Sequence, residues 1–233
     1  DLFIANGHLD NNIQLFDTST TYAQINHLFK NNGDGTFTDL AKELGLNAIY
    51  SSRGSAVGDI DNDGDLDLVI SNLDQSPNVM RNDIISNINN WLNIKLIGNT
   101  CNYSAIGSHV ILTATNMRQI REVRSGSSYL SHNDLRLHFG LGNHSVVDLE
   151  VRWTNGQIEE FRKVKSNQFI KIIEGKGHLQ HLEIQWPCFV SQAVSESDKR
   201  IAFGIYRTGC CSKNLPAKPE LDQSQAPKGY EKN

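Results

Sequence analysis

Apolar and polar residues alternate over short runs in this chain, and Gly, Asn and Asp separate the runs. A period of two marks strands with one buried face, because successive side chains leave a strand on opposite sides. Positions 66–71, Leu-Asp-Leu-Val-Ile-Ser, form one such run and end in β-branched residues. Further runs stand at 91–97, 110–114, 119–123, 135–139, 147–153, 158–161 and 169–173. From 91 to 175 no segment holds apolar residues at helical spacing convincingly. Asn155-Gly156 between two alternating runs is a hairpin signal, and Asn32-Gly33-Asp34-Gly35 before Thr36-Phe37-Thr38 reads as another. About seven short strands in roughly 85 residues predict a small antiparallel β-sandwich or barrel over 91–175.

The first ninety residues carry an internal repeat. Asp67-Leu68-Val69-Ile70-Ser71-Asn72 matches Asp1-Leu2-Phe3-Ile4-Ala5-Asn6, and Val79-Met80-Arg81-Asn82 matches Leu28-Phe29-Lys30-Asn31. These are two copies of a strand–loop–strand unit, and such repeats predict β-propeller blades. A propeller closes with about four or more blades, so residues 1–90, with about one and a half, read as part of a longer protein's ring. The expected fold is all-β: partial propeller blades over 1–90, then the sandwich or barrel. Residues 176–233 form an unassigned tail, with an apolar stretch at 186–190 expected to pack on the sandwich. From Ser212 the tail is rich in Pro, Lys, Gln and Glu and is expected to be disordered.

Candidate chemistry concentrates at Gly58-Asp59-Ile60-Asp61-Asn62-Asp63-Gly64-Asp65-Leu66-Asp67. Five aspartates at alternate positions crowd like charges, and two unit charges about 4 Å apart repel by roughly 4 kcal/mol at an effective dielectric near 20. A hard cation reverses that cost, and calcium accepts six to eight oxygens in irregular geometry. Asp59, Asp61 and Asp63 occupy positions 1, 3 and 5 of a calcium loop, Gly64 the sharp turn, Asp65 a backbone-carbonyl position and Asp67 position 9. An EF-hand would place a bidentate Glu at position 12 and a helix after it. Ile70 stands there instead, inside a strand pattern. The loop therefore reads as a calcium site that opens a β-strand. Magnesium, which prefers fewer carboxylates and more water, fits less well.

Charge changes the picture little. The 233 residues hold 26 acidic and 22 basic side chains, and 26 less the five loop aspartates leaves 21 against 22. No basic field exists to attract nucleic acid. No apolar run reaches the roughly 18 residues of a membrane span, and no leader pattern stands at residue 1. Cys101, Cys188, Cys210 and Cys211 fix no redox compartment. With His178 and His181 their spacings match no zinc pattern. Asn102-Tyr103-Ser104 and Asn143-His144-Ser145 are glycosylation sequons that matter only in a secreted eukaryotic protein.

Ser127, Ser128, Ser131, His132, Asp134 and His138 lie close in sequence, but nucleophile triads assemble from distant segments and no G-x-S-x-G elbow is present. The simpler reading is a Gly/Ser turn before a strand. Within it Ser127, Ser128, Tyr129, His132 and Asp134 are the candidates for a ligand-contacting loop.

Gly54-Ser55-Ala56-Val57-Gly58-Asp59 running into the aspartate loop resembles FG-GAP/VCBS repeats, integrin-like propeller repeats with calcium loops on one face. The resemblance implies calcium ligation by Asp59, Asp61, Asp63 and Asp67, and by Asp65 through its backbone. Ser104-Ala105-Ile106-Gly107-Ser108 is followed by Arg121-Glu122-Val123-Arg124-Ser125-Gly126-Ser127-Ser128-Tyr129-Leu130-Ser131 and Leu135-Arg136-Leu137-His138-Phe139-Gly140-Leu141-Gly142. With Val151-Arg152-Trp153-Thr154-Asn155-Gly156 and Glu174-Gly175, this order resembles the ASPIC/UnbV domain. Thr154-Asn155 stands where that family often has Pro-Ser. Repeats followed by this domain resemble the cartilage acidic protein 1 family. That resemblance implies a non-enzymatic, calcium-stabilised extracellular or periplasmic module that recognises a protein or glycan partner. The alternative is an enzyme, a hydrolase or a natural-product tailoring activity, with its chemistry in the ASPIC/UnbV region.

Overall fold

The computed structural model describes residues 1–82 and 89–182. The apolar stretch 186–190, Cys188, Cys210, Cys211 and the segment from Ser212 lie outside the described residues. The first part contains β1 (Leu2–Ile4), β2 (Gln24–Ile25), β3 (His27–Asn31), β4 (Phe37–Asp39), β5 (Ile49–Tyr50), β6 (Ser52–Gly58), β7 (Asp67–Asn72) and β8 (Asn78–Met80). The second contains β9 (Asn90–Ile97), β10 (His109–Ala114), β11 (Met117–Glu122), β12 (Leu137–Gly142), β13 (Val146–Arg152), β14 (Ile158–Lys165), β15 (Gln168–Ile173) and β16 (Leu179–His181). Helical structure among the described residues is one 3₁₀ turn, Ile13–Leu15. The chain is all-β, as its periodicity implies.

The repeat is visible as register. Strands β1-β3-β4 and β6-β7-β8 form two three-stranded antiparallel sheets. Leu2 faces Phe29 as Leu68 faces Met80, and Ile4 faces His27 as Ile70 faces Asn78. The aspartate that starts each unit does the same work. Asp1 Oδ1 accepts the Asn31 amide at 2.8 Å, and Asp67 Oδ1 accepts the Asn82 amide at 2.9 Å. The β3–β4 turn is a hairpin with Asp34 Oδ1 accepting the Thr36 amide, so the turn accounts for that acid.

The second part is a sandwich of two four-stranded sheets, β11-β10-β13-β14 and β12-β9-β15-β16. One pair, β9 with β15, is parallel, while the remaining pairs are antiparallel. Alternate residues from both sheets fill the core: Leu92, Ile94 and Leu96 against Val110 and Leu112, with Phe139 fully buried between them and Val147, Leu149 and Val151. Strand β14 departs from period two, because Phe161 and Val164 are both buried. A bulge explains this. The register with β13 shifts between Val147 and Leu149, Lys163 adopts φ 55, and its amide is satisfied by Asp148 Oδ1 at 2.8 Å.

Two polar groups shape the sandwich. Glu174, buried at the end of β15, accepts the amides of Asn99, Thr100 and Cys101 at 2.7, 2.8 and 3.0 Å on one oxygen. Its other oxygen accepts Thr100 Oγ1 and Asn155 Nδ2. The Cys101 amide, the Thr100 hydroxyl and the other donors hold this carboxyl well below the usual range. His138 on β12 sits beside Trp91, ring centroids 6.5 Å apart, and its buried Nδ1 has no partner. Burial, and secondarily the Arg121 charge, push its pKa down to about 4.

Glu174→Gln is expected to lower the melting temperature by several degrees at pH 7, because an amide cannot accept all five donors as an ionised carboxylate does. Glu174 is more acidic folded than unfolded. Its contribution is therefore complete above the ordinary value of 4.5 and is lost as pH falls below it. The gap between variant and parent should narrow in thermal scans below that pH. His138 is likewise depressed, so its neutral form contributes fully above 6.5 and its contribution is lost as pH falls toward 4. His138→Phe removes that loss. Its melting temperature relative to the parent should rise as scans move from pH 7.5 to 4.5, and a difference independent of pH contradicts this assignment.

Candidate metal centre and its contact with the second module

The aspartate loop connects β6 to β7, and both strands position it. Asp59 directly follows β6 and Asp67 opens β7, paired across the hairpin with Gly58. The turn between them is closed by left-handed residues, Asn62 at φ 60 and Gly64 at φ 99. Gly64 serves a second need, since a Cβ there would overlap the Trp91 indole. The Gly64 amide is accepted by Asp59 Oδ2 at 3.0 Å, and the Ile60 amide by Asp67 Oδ2 at 2.8 Å.

These bonds fold three carboxylates inward. One oxygen each from Asp59, Asp61 and Asp67 lies within 4.8 Å of the others. Oxygens sharing one calcium ion at about 2.4 Å are at most about 5 Å apart, so the three fit a single ion. Asp59 is 1% exposed, and both Asp59 Oδ1 and Asp61 Oδ1 are buried without a hydrogen-bond donor. Buried polar atoms are seldom left so, and oxygens without donors suit a cation. Burial raises the Asp59 pKa to about 6 against the Gly64 amide and the Arg136 charge, while Asp63 adds repulsion. Burial, then Asp63 and Asp67, also raise Asp61. Asp63 and Asp65 are outside the three-residue cluster, and Asp63 Oδ1 accepts the Asp65 amide at 2.9 Å.

The expected ligand loop lies against the first part of the chain. Asn133 Oδ1 accepts the Val57 amide at 2.9 Å, and the Asp134 amide donates to the Val57 carbonyl at 3.0 Å. His132, Asp134 and Arg136 wall a cleft of about 320 Å³ with Val57, Asp59 and Asn62. Ser127, Ser128 and Tyr129 are exposed, and a turn closed between Ser128 and Ser131 holds them. His132 Nδ1 contacts the Asn133 carbonyl, whereas His138 is held in the sandwich beside Trp91. The serine–histidine–acid assembly that an enzyme reading requires is not formed by these groups. Asn102, in one sequon, uses its side-chain amide to close a turn onto Ile106, donating at 2.9 Å and accepting at 2.8 Å.

Sequence reasoning missed Arg136 and Trp91. Arg136 Nη2 donates to the Asp59 carbonyl and Nη1 to Asn62 Oδ1, both at 2.6 Å, while Nε pairs with Asp134 Oδ2 at 2.5 Å. Arg136 is more than seventy positions from the loop residues it holds. No local pattern marks Arg136 or Trp91, and Arg136 reads in sequence as the solvent-facing position of an alternating strand.

Residues 1–70 match the family described as FG-GAP-like repeat, and residues 98–179 match ASPIC and UnbV. Cartilage acidic protein 1 of Homo sapiens is 28% identical over 174 residues, which cover 71% of this chain and 26% of that protein. The Mus musculus protein is 28% identical over 175 residues, 71% of this chain and 27% of its own length. The Xenopus tropicalis protein is 46% identical over 48 residues, 20% of this chain and 7% of its own. The chain thus spans about a quarter of the length of the curated mammalian relatives it matches. It carries a stretch similar to FG-GAP-like repeats, followed by one similar to ASPIC and UnbV, and over most of its length it is similar to cartilage acidic protein 1.

Proposed function

We propose that this chain is part of a non-enzymatic extracellular or periplasmic module, stabilised by calcium, that recognises a protein or glycan partner. The observation that carries the reading is the pair of buried, donor-free oxygens, Asp59 Oδ1 and Asp61 Oδ1, beside Asp67. Asp59, Asp61 and Asp67 would hold the ion, with Asp63 and the Asp65 backbone completing its shell. Bound calcium supplies charge neutralisation, and the chain's own groups supply the shape of the loop. The similarity to cartilage acidic protein 1 supports an extracellular setting. No helix among the described residues is long and apolar enough to cross a membrane. The partner surface proposed is the outer side of the loop carrying Ser127, Ser128 and Tyr129, where Tyr129 is 60% and Leu130 89% exposed. His132 and Asp134 set the inner wall of that loop. An exposed aromatic and an exposed leucine on a loop pinned to two sheets suit recognition, since little ordering entropy remains to be lost on binding.

A ligand that binds only the folded state at a hundredfold excess over Kd stabilises by about 2.7 kcal/mol, which corresponds to roughly 5–10 °C for a domain of this size. Saturating calcium is expected to raise the melting temperature by that amount over the EDTA-treated protein. Asp61→Ala combined with Asp63→Ala should abolish the difference. Identical melting curves in calcium and in EDTA would falsify the reading.

A further inference from the structure

The loop that gathers the three carboxylates is held from two sides by the second module. On one side Arg136, its side chain 16% exposed, spends both terminal nitrogens on the loop, at the Asp59 carbonyl and Asn62 Oδ1. Its guanidinium also lies over the Phe169 ring at 5.5 Å. On the other side Gly64 abuts Trp91, which packs edge-on against the same Phe169 at 4.8 Å. Asn62 takes a left-handed conformation that non-glycine residues seldom adopt, and its side chain is the one Arg136 holds.

We propose that calcium binding and docking of the second module on the first are one coupled equilibrium, with Arg136 the residue that positions the loop for the ion. The proposal rests on the calcium reading of the aspartate cluster. Without a cation, repulsion among Asp59, Asp61 and Asp67 drives the loop open, which draws the Asp59 carbonyl, Asn62 and Gly64 away from Arg136 and Trp91. With calcium the loop keeps the one shape that both contacts fit. Coupling is reciprocal, so a loosened dock also weakens calcium. The Arg136 charge does not decide the sign, because Asp134 neutralises it at 2.5 Å.

The test uses the whole 233-residue chain. Calorimetry measures calcium affinity, and hydrogen exchange follows the Asp134 amide, whose acceptor is the Val57 carbonyl across the contact. Chelation is expected to speed exchange at Asp134 at least about tenfold, within the usual range of coupling energies. Arg136→Gln should weaken calcium binding by roughly tenfold, with Arg136→Lys recovering part of the loss. A pure charge effect gives the opposite sign, since removing a cation near the site would tighten calcium. Tighter or unchanged binding in Arg136→Gln overturns the proposal, as does calcium binding with no change in Asp134 exchange. Absence of calcium binding by the parent chain overturns the site itself and the coupling with it.

Discussion

Three carboxylates folded to within 4.8 Å of one another constrain everything around them. Two of their oxygens have no donor, and two of the acids, Asp59 and Asp67, are almost wholly buried. A chain can hold such a cluster only if other interactions fix the backbone that carries it. Here that backbone is fixed by the β6–β7 hairpin beneath, by amides returned to Asp59 and Asp67, and by a guanidinium from a different module. The raised Asp59 pKa is the electrostatic record of this confinement. A proton would relieve it partially, and a divalent ion would neutralise more of it and take the orphan oxygens as ligands.

Much of the fold was legible in the sequence because strands leave local evidence. The match between residues 1–6 and 67–72 reappears as identical pairing, down to the aspartate that accepts an amide from the returning strand. The alternating runs from 91 to 173 became the two sheets of the sandwich. Where period two failed, the cause was a single inserted residue. The bulge at Lys163 turns Phe161 and Val164 to the same side and extends β14 to Lys165, whereas the pattern alone ended the strand at 161. Strand β12 begins at Leu137, not at 135, because the Asp134 amide and the Arg136 side chain are engaged with Val57 and Asn62 of the first module.

The site was legible in part. Spacing singled out five aspartates as candidates, and three of them converge. What spacing could not supply is which acids turn inward: Asp59, Asp61 and Asp67 converge, while Asp63 lies outside the cluster and accepts the Asp65 amide. The contacts of Arg136, Asn133 and Trp91 with the first module also had no local signature. Each joins residues far apart in sequence, and the bonds of Arg136 Nη2 and Asn133 end on main-chain groups, the Asp59 carbonyl and the Val57 amide, that nearly any residue type provides.

That last property bears on why the two modules meet where they do. The contact uses main-chain groups of Val57 and Asp59 and the absence of a side chain at Gly54, where a Cβ would overlap the Ser131 hydroxyl and the Tyr129 carbonyl. Much of this interface is therefore specified by backbone shape. Backbone shape at this hairpin is in turn set by the loop at its end, because Asp59 directly follows β6, Asp67 opens β7, and both are cluster members. A contact built this way transmits a change in the loop directly, since each hydrogen bond to a main-chain carbonyl is lost within a displacement of less than about 1 Å. An apolar interface of the same size would tolerate the shift. Under the proposed coupling, these hydrogen bonds are what would let occupancy of a small acidic loop matter to the neighbouring sandwich.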